Sequence, residues 1–74
     1  MQTSQQTIDQ IKVDNVAEIT LPDGVKFNGH ITGVTTIGVY ARDLNPKWAQ
    51  NIGRGEFFSF KTNRIEVIKD SINE

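Results

Sequence analysis

The stretch ITLPDGVKFNGHI, residues 19–31, alternates apolar and polar side chains on either side of an Asp-Gly pair. That is the pattern of two antiparallel strands joined by a tight turn. Asp23 and Gly24 are expected to supply the positive-φ positions of a two-residue hairpin. Gly29 interrupts the second strand at a point where an inward side chain would obstruct a sharp curl. A strand that must curl belongs to a small, strongly bent barrel.

The same period of two extends outward from this hairpin. Ala17, Ile19 and Leu21 are expected on one face of the first strand, with Glu18 and Thr20 on the other. In the second strand Val25, Phe27 and Ile31 are expected to face inward and Lys26, Asn28, His30 and Thr32 outward, with a change of direction at Gly33. A third strand over residues 37–42 places Ile37, Val39 and Ala41 inward and leaves Tyr40 half-exposed. Residues 43–55, DLNPKWAQNIGRG, break the alternation and form a connection longer than an ordinary hairpin loop, with Asn45 positioned to cap a single turn at Pro46. A fourth strand over residues 56–61 turns Phe58 and Phe60 inward, and a tight turn at Thr62-Asn63 leads to a fifth over residues 64–69. Ile68 breaks the alternation there and falls on the face of Glu66. Upstream, Thr3 or Ser4 is expected to cap a short helix that docks through Ile8 and Ile11, with Asp9 near its positive end, Lys12 near its negative end and Val16 continuing the apolar contact. The chain thus divides into a helical segment (1–15), a five-stranded antiparallel domain (16–70) and a tail (71–74).

Composition limits the function. Seventy-four residues make at most one domain, and a chain of this size buries only roughly 60% of its unfolded surface, which leaves it marginal alone. There is no cysteine to cross-link it and a single histidine, so disulfides are excluded and a structural metal is not expected. Self-association is the remaining common way to add burial. Eight basic residues against nine acidic give a net charge of −1, so any nucleic-acid binding must come from local placement of charge. No segment has the length and hydropathy of a membrane span, and a soluble, intracellular, cytoplasmic protein is the expectation. No nucleophile stands beside a base, Gly53-Arg54-Gly55 lacks the Lys-Ser/Thr of a phosphate loop, and His30 has no ligand-spaced neighbour. Neither catalysis nor a cofactor is expected.

Gly24-Val25-Lys26-Phe27-Asn28-Gly29-His30-Ile31 resembles the first half of the Sm motif of Sm and Hfq-type RNA-binding proteins, and Phe60-Lys61-Thr62-Asn63-Arg64-Ile65 resembles the second. Together they organise about residues 16–69. The resemblance implies a mainly β fold: a short N-terminal helix followed by a strongly bent, five-stranded antiparallel Sm-like barrel. It also implies head-to-tail pairing of the fourth and fifth strands of neighbouring copies into a homomeric ring. Single-stranded RNA is the implied ligand. Thr35 and Thr36 on one loop, with Lys61, Thr62, Asn63 and Arg64 on the other, would then line the pore. Lys26 and Asn28 would form a secondary RNA-binding face.

Two further residues are candidate partner contacts, Tyr40 on the third strand and Trp48 in the long connection, as aromatics able to stack on a base or anchor a protein. A second reading stays open. Thr35, Ile37 and Val39 stand where Sm proteins carry an Asp, an aromatic or His, and an Asn, so the alternative is a structural or protein-interaction ring that has lost the nucleotide pockets.

Overall fold

A computed structural model describes residues 5–44, 55–71 and 73. The expected cap at Thr3 or Ser4, the turn at Asn45-Pro46 and Trp48 lie outside the described residues. Five antiparallel strands follow a four-residue helix: α1 (Gln5–Ile8), β1 (Val16–Thr20), β2 (Lys26–Val34), β3 (Gly38–Asp43), β4 (Glu56–Ser59) and β5 (Arg64–Lys69). They form one sheet in the order β4-β3-β2-β1-β5.

The sheet is curled. β4 and β5 are its two edges, yet only residues 60–63 join them, and the Asn63 backbone amide donates to the Ser59 carbonyl at 3.1 Å. Four flat strand spacings would separate the edges by roughly 19 Å, so the sheet must roll to bring them to one turn. Phe27 of β2 meets Phe58 of β4 across the intervening strand, with ring centroids 5.3 Å apart. Two bulges assist the roll. β2 carries one extra residue between Ile31 and Gly33 opposite β3, and β5 carries one between Val67 and Lys69 opposite β1. Extra residues of this kind bend a strand and increase its twist.

The concave side holds the core: Ala17, Ile19, Ile31, Val39, Ala41 and Ile65 from the sheet, with Phe60 from the turn and Ile11 from the N-terminal segment. Ile19, Ile31, Ile65 and Val39 are the largest fully buried side chains. The expected docking of Ile8 and Ile11 is present, Ile11 in the core and Ile8 packed against it. Such a short helix has no independent stability in water, so this contact holds it.

Gly29 is buried in β2, and a Cβ there would lie 3.1 Å from the Ile19 side chain and 3.3 Å from Ala41. The close approach expected at this glycine is therefore real.

Several expectations are corrected. The hairpin turn has three residues. Gly24 N donates to Leu21 O at 2.9 Å and Leu21 N to Val25 O at 2.8 Å, and of the Asp-Gly pair only Gly24 has positive φ, at 92°. Pro22 and Asp23 form a type I turn that Gly24 closes in the left-handed region, a common three-residue loop. Asp23 contributes through its side chain, accepting from Val25 N at 3.1 Å. Val25 and Ile37, expected inward, are 54% and 68% exposed because each belongs to a turn rather than a strand. Thr20, expected outward, is buried between Lys26 of β2 and Arg64 of β5, its direct cross-strand partners. α1 ends at Ile8, so Asp9 and Lys12 lie beyond it and do not flank its dipole as expected. β3 begins one residue later than expected and runs on to Asp43, and β4 stops at Ser59.

Candidate nucleic-acid interface

The two loops expected to act together meet at one end of the sheet. Phe60 N donates to Ile37 O at 3.0 Å, tying the β4–β5 turn to the β2–β3 turn. Thr36, Ile37, Ser59, Phe60 and Lys61, with Gln5 and Ile8 of α1, line a groove of about 480 Å³. Ile8, Ile37 and Phe60 supply apolar lining, and Gln5, Thr36, Ser59 and Lys61 supply polar side chains.

Each loop is held by its own side chains. Thr35 N donates to Gly38 O at 2.8 Å, and the Thr35 hydroxyl accepts from Ile37 N at 3.2 Å and Gly38 N at 3.0 Å while donating to Gly38 O at 2.9 Å. Thr35 therefore fixes a two-residue turn and pushes Thr36 and Ile37 to the tip. In the other loop Asn63 is 6% exposed, and its side-chain amide donates to Ser59 O and to the Thr62 hydroxyl, both at 3.1 Å. The Ser59 hydroxyl accepts from Lys61 N at 3.1 Å. Asn63 and Thr35 thus shape the loops from within, while Thr36, Lys61, Thr62 and Arg64 are exposed on them. Arg64 lies 3.9 Å from Glu66 on the same strand.

Lys26 and Asn28 are not brought to this groove. They sit at the hairpin end of β2, where they line a separate depression of about 370 Å³ with Phe27, Asp43 and Leu44. Lys26 reaches Glu18 at 4.0 Å. Tyr40 lies on the outer face of β3, opposite Phe57 of β4, with ring centroids 5.2 Å apart and planes at 60°. The adjacent pair Phe57-Phe58 carries a signal for this, because neighbours in a strand face opposite sides and one aromatic had to point outward. Ile37, the last residue of the first expected loop, lines the groove, and Gln5 lines it without having been expected there. Gln5 does not stand out locally, since the groove forms only when the helix folds over the loops.

His30, expected to be an isolated surface histidine, has a partner. Its Nε2 lies 2.9 Å from Asp14 Oδ1, and the Ser71 hydroxyl donates to Asp14 Oδ2 at 2.8 Å. Asp14 has φ 81°, unusual for a residue with a side chain. The Ser71 hydrogen bond first, and the His30 hydrogen bond second, hold its carboxyl below the ordinary value of 3.8. Asn15 beside it is buried, accepts from Lys12 N at 2.7 Å and donates to Asp70 O at 2.9 Å. The Ser71 hydroxyl points to the carboxylate and not to the imidazole, so the three groups form a structural clasp rather than a nucleophile–base pair.

Among the described residues no group of three His, Cys, Asp or Glu side chains is placed to hold a metal ion, and no helix is long and apolar enough to cross a membrane. No protein-family model, curated protein or solved structure matches the chain.

Proposed function

We propose that this chain is an Sm-like, single-stranded RNA-binding protein that works as a homomeric ring formed through β4 and β5. The observation that carries this reading is the hydrogen bond from Phe60 to Ile37, which joins the two loops into one groove under α1. A base would enter against Ile37 and Phe60, with the Gln5 amide and the hydroxyls of Thr36 and Ser59 offering hydrogen bonds to its edge. Lys61, and Arg64 beyond the turn, would meet the phosphates. Repeated around a ring, weak contacts of this kind add through effective concentration rather than through any single strong one.

The test is binding of oligouridylate and oligoadenylate across a salt series. The double substitution Lys61→Ala, Arg64→Ala is expected to weaken binding and to flatten the dependence of log K on log salt by about 0.7 for each phosphate no longer neutralised. Assembly should be unaffected. Unchanged affinity and slope would remove the groove from the binding surface.

One observation favours the second reading, a structural or protein-interaction ring. The Thr35 hydroxyl and the Asn63 amide are both engaged within their own turns, and the groove's aromatic, Phe60, is buried. A ring that retains neither oligonucleotide would make that the better account.

A further inference from the structure

The two ends of the curled sheet differ in charge. The end with the groove presents Lys61, with Arg64 just beyond the turn. At the opposite end the β1–β2 hairpin turns, β3 finishes and β4 begins, and there a separate pocket of about 290 Å³ opens. Leu21, Val25, Phe27 and Phe58 give it apolar lining, and Asp43 and Glu56 bring two carboxylates to it.

The register makes those carboxylates informative. Residues opposite one another in a ladder share a face. Asp43 stands opposite Gly29 and Glu56 opposite Ala41, and both partners are buried on the concave side. The period of two agrees, since Val39, Ala41 and Asp43 follow one another on β3, and Glu56 and Phe58 on β4. The row of core positions therefore ends in an acid on both strands. Asp43 is half-buried and Glu56 exposed, whereas Val39 and Ala41 are fully buried, so the acids stand at the mouth of the pocket. A carboxylate beside apolar side chains is costly unless water or a cation satisfies it. Where a strand breaks its own core pattern, a functional site is the expected reason.

The chemistry that fits such a pocket is an apolar stem carrying a planar cation. Phe27 and Phe58, with ring centroids 5.3 Å apart and planes tilted by 53°, offer aromatic surface to a methylene chain and a guanidinium, and the carboxylates accept from the guanidinium fork. Lysine lacks the fork and the flat face. A phosphate backbone fits poorly, because Asp43 also lines the neighbouring depression that holds Lys26 and Asn28, and Lys26 itself reaches Glu18 at 4.0 Å.

We infer that this pocket is a docking site for an arginine side chain presented by a protein partner, with an apolar neighbour of that arginine covering Val25, which is 54% exposed. The inference stands apart from the RNA-binding reading. It uses the opposite end of the sheet and the opposite charge.

Amide NMR of the isotope-labelled full chain tests it, with the peptide acetyl-Gly-Leu-Arg-Leu-Gly-amide as probe and the same peptide carrying citrulline, the neutral isostere of arginine, as control. The amides of Val25, Phe27, Glu56 and Phe58 should shift with the arginine peptide. Citrulline should bind about fivefold or more weakly, the difference between a charge-assisted and a neutral hydrogen bond. The double substitution Asp43→Asn, Glu56→Gln should erase that preference, and Glu56→Gln alone, at an exposed position, should reduce it with thermal melting unchanged. Equal binding of the two peptides, shifts confined to residues 36–37 and 59–64, or no shift at millimolar peptide would overturn the site. So would the same amides shifting with protein concentration alone, which would assign the pocket to a second copy of the chain, or with oligoadenylate, which would assign it to RNA. Failure of oligouridylate to bind at the groove leaves these outcomes unaltered, so the two proposals fail separately.

Discussion

At the scale of single residues, the clasp around Asp14 shows what a linear reading misses. His30 has no partner within reach in sequence, because its partner lies 16 residues upstream and Ser71 lies 57 residues beyond that aspartate. Only the fold brings the three together. The linkage has a definite sign. A carboxyl whose folded-state pKa is depressed favours the ionised form in the native state. Its contribution is complete above the ordinary value of 3.8 and is lost as pH falls through the lowered folded-state value. Asp14→Asn is the informative substitution, because asparagine tolerates the left-handed backbone that this position adopts. The variant is expected to melt below wild type at neutral pH, and the gap between the two melting temperatures should close as pH drops below about 3.8. A gap that persists undiminished to about pH 2.5 would mean that carboxylate ionisation is not its source.

At the scale of elements, the legible parts were those in which one residue decides the local geometry. Alternation placed Ala17 and Ile19 of β1, Val39 and Ala41 of β3 and the outward face of Tyr40, and the bounds of β5 followed from the turn at Thr62-Asn63. The Val67-Ile68 break in alternation was visible in the sequence, and its physical meaning is the bulge in β5 that leaves Ile68 half-exposed. Turn residues misled the same pattern. Val25 and Ile37 fit the period of two, but each stands where the backbone has already left the strand, so periodicity there carried no information about direction. A close approach of two strands at this scale is at the start of β3. A Cβ on Gly38 would overlap the Phe58 carbonyl oxygen and the Phe57 ring, whereas one on Gly33 meets only the Tyr40 side chain. A backbone atom cannot swing aside as a ring can. Gly38→Ala is therefore expected to cost about 1–3 kcal/mol through overpacking, and Gly33→Ala distinctly less. Urea unfolding of the two variants gives the ranking directly. Equal destabilisation, or none at Gly38, would mean that β4 does not approach β3 as closely as described.

At the scale of the whole molecule, the topology raises the question of what covers the edges. Among the described residues, the order β4-β3-β2-β1-β5 gives each end strand a strand neighbour on one side only. Phe57 on one edge, and Ile68 with Val13 near the other, present exposed apolar surface beside those edges. Open strand edges are sites where another chain can add. A 74-residue chain without disulfides also has little stability to spare. A contact between β4 of one copy and β5 of the next would be head to tail, since the two are different surfaces, and repetition of such a contact closes a ring when the rotation per step divides a full turn. The proposed assembly thus answers both the open edges and the small core with a single contact. Native mass spectrometry of the chain is expected to show one dominant species at a multiple of 8.3 kDa greater than one. That species should dissociate with loss of cooperative thermal unfolding on dilution, because stability that depends on association depends on concentration. A species that stays monomeric at micromolar concentration, with a melting temperature independent of dilution, would show that the curled sheet is sufficient by itself. The proposed RNA binding at the groove would then lack the gain that repetition around a ring provides.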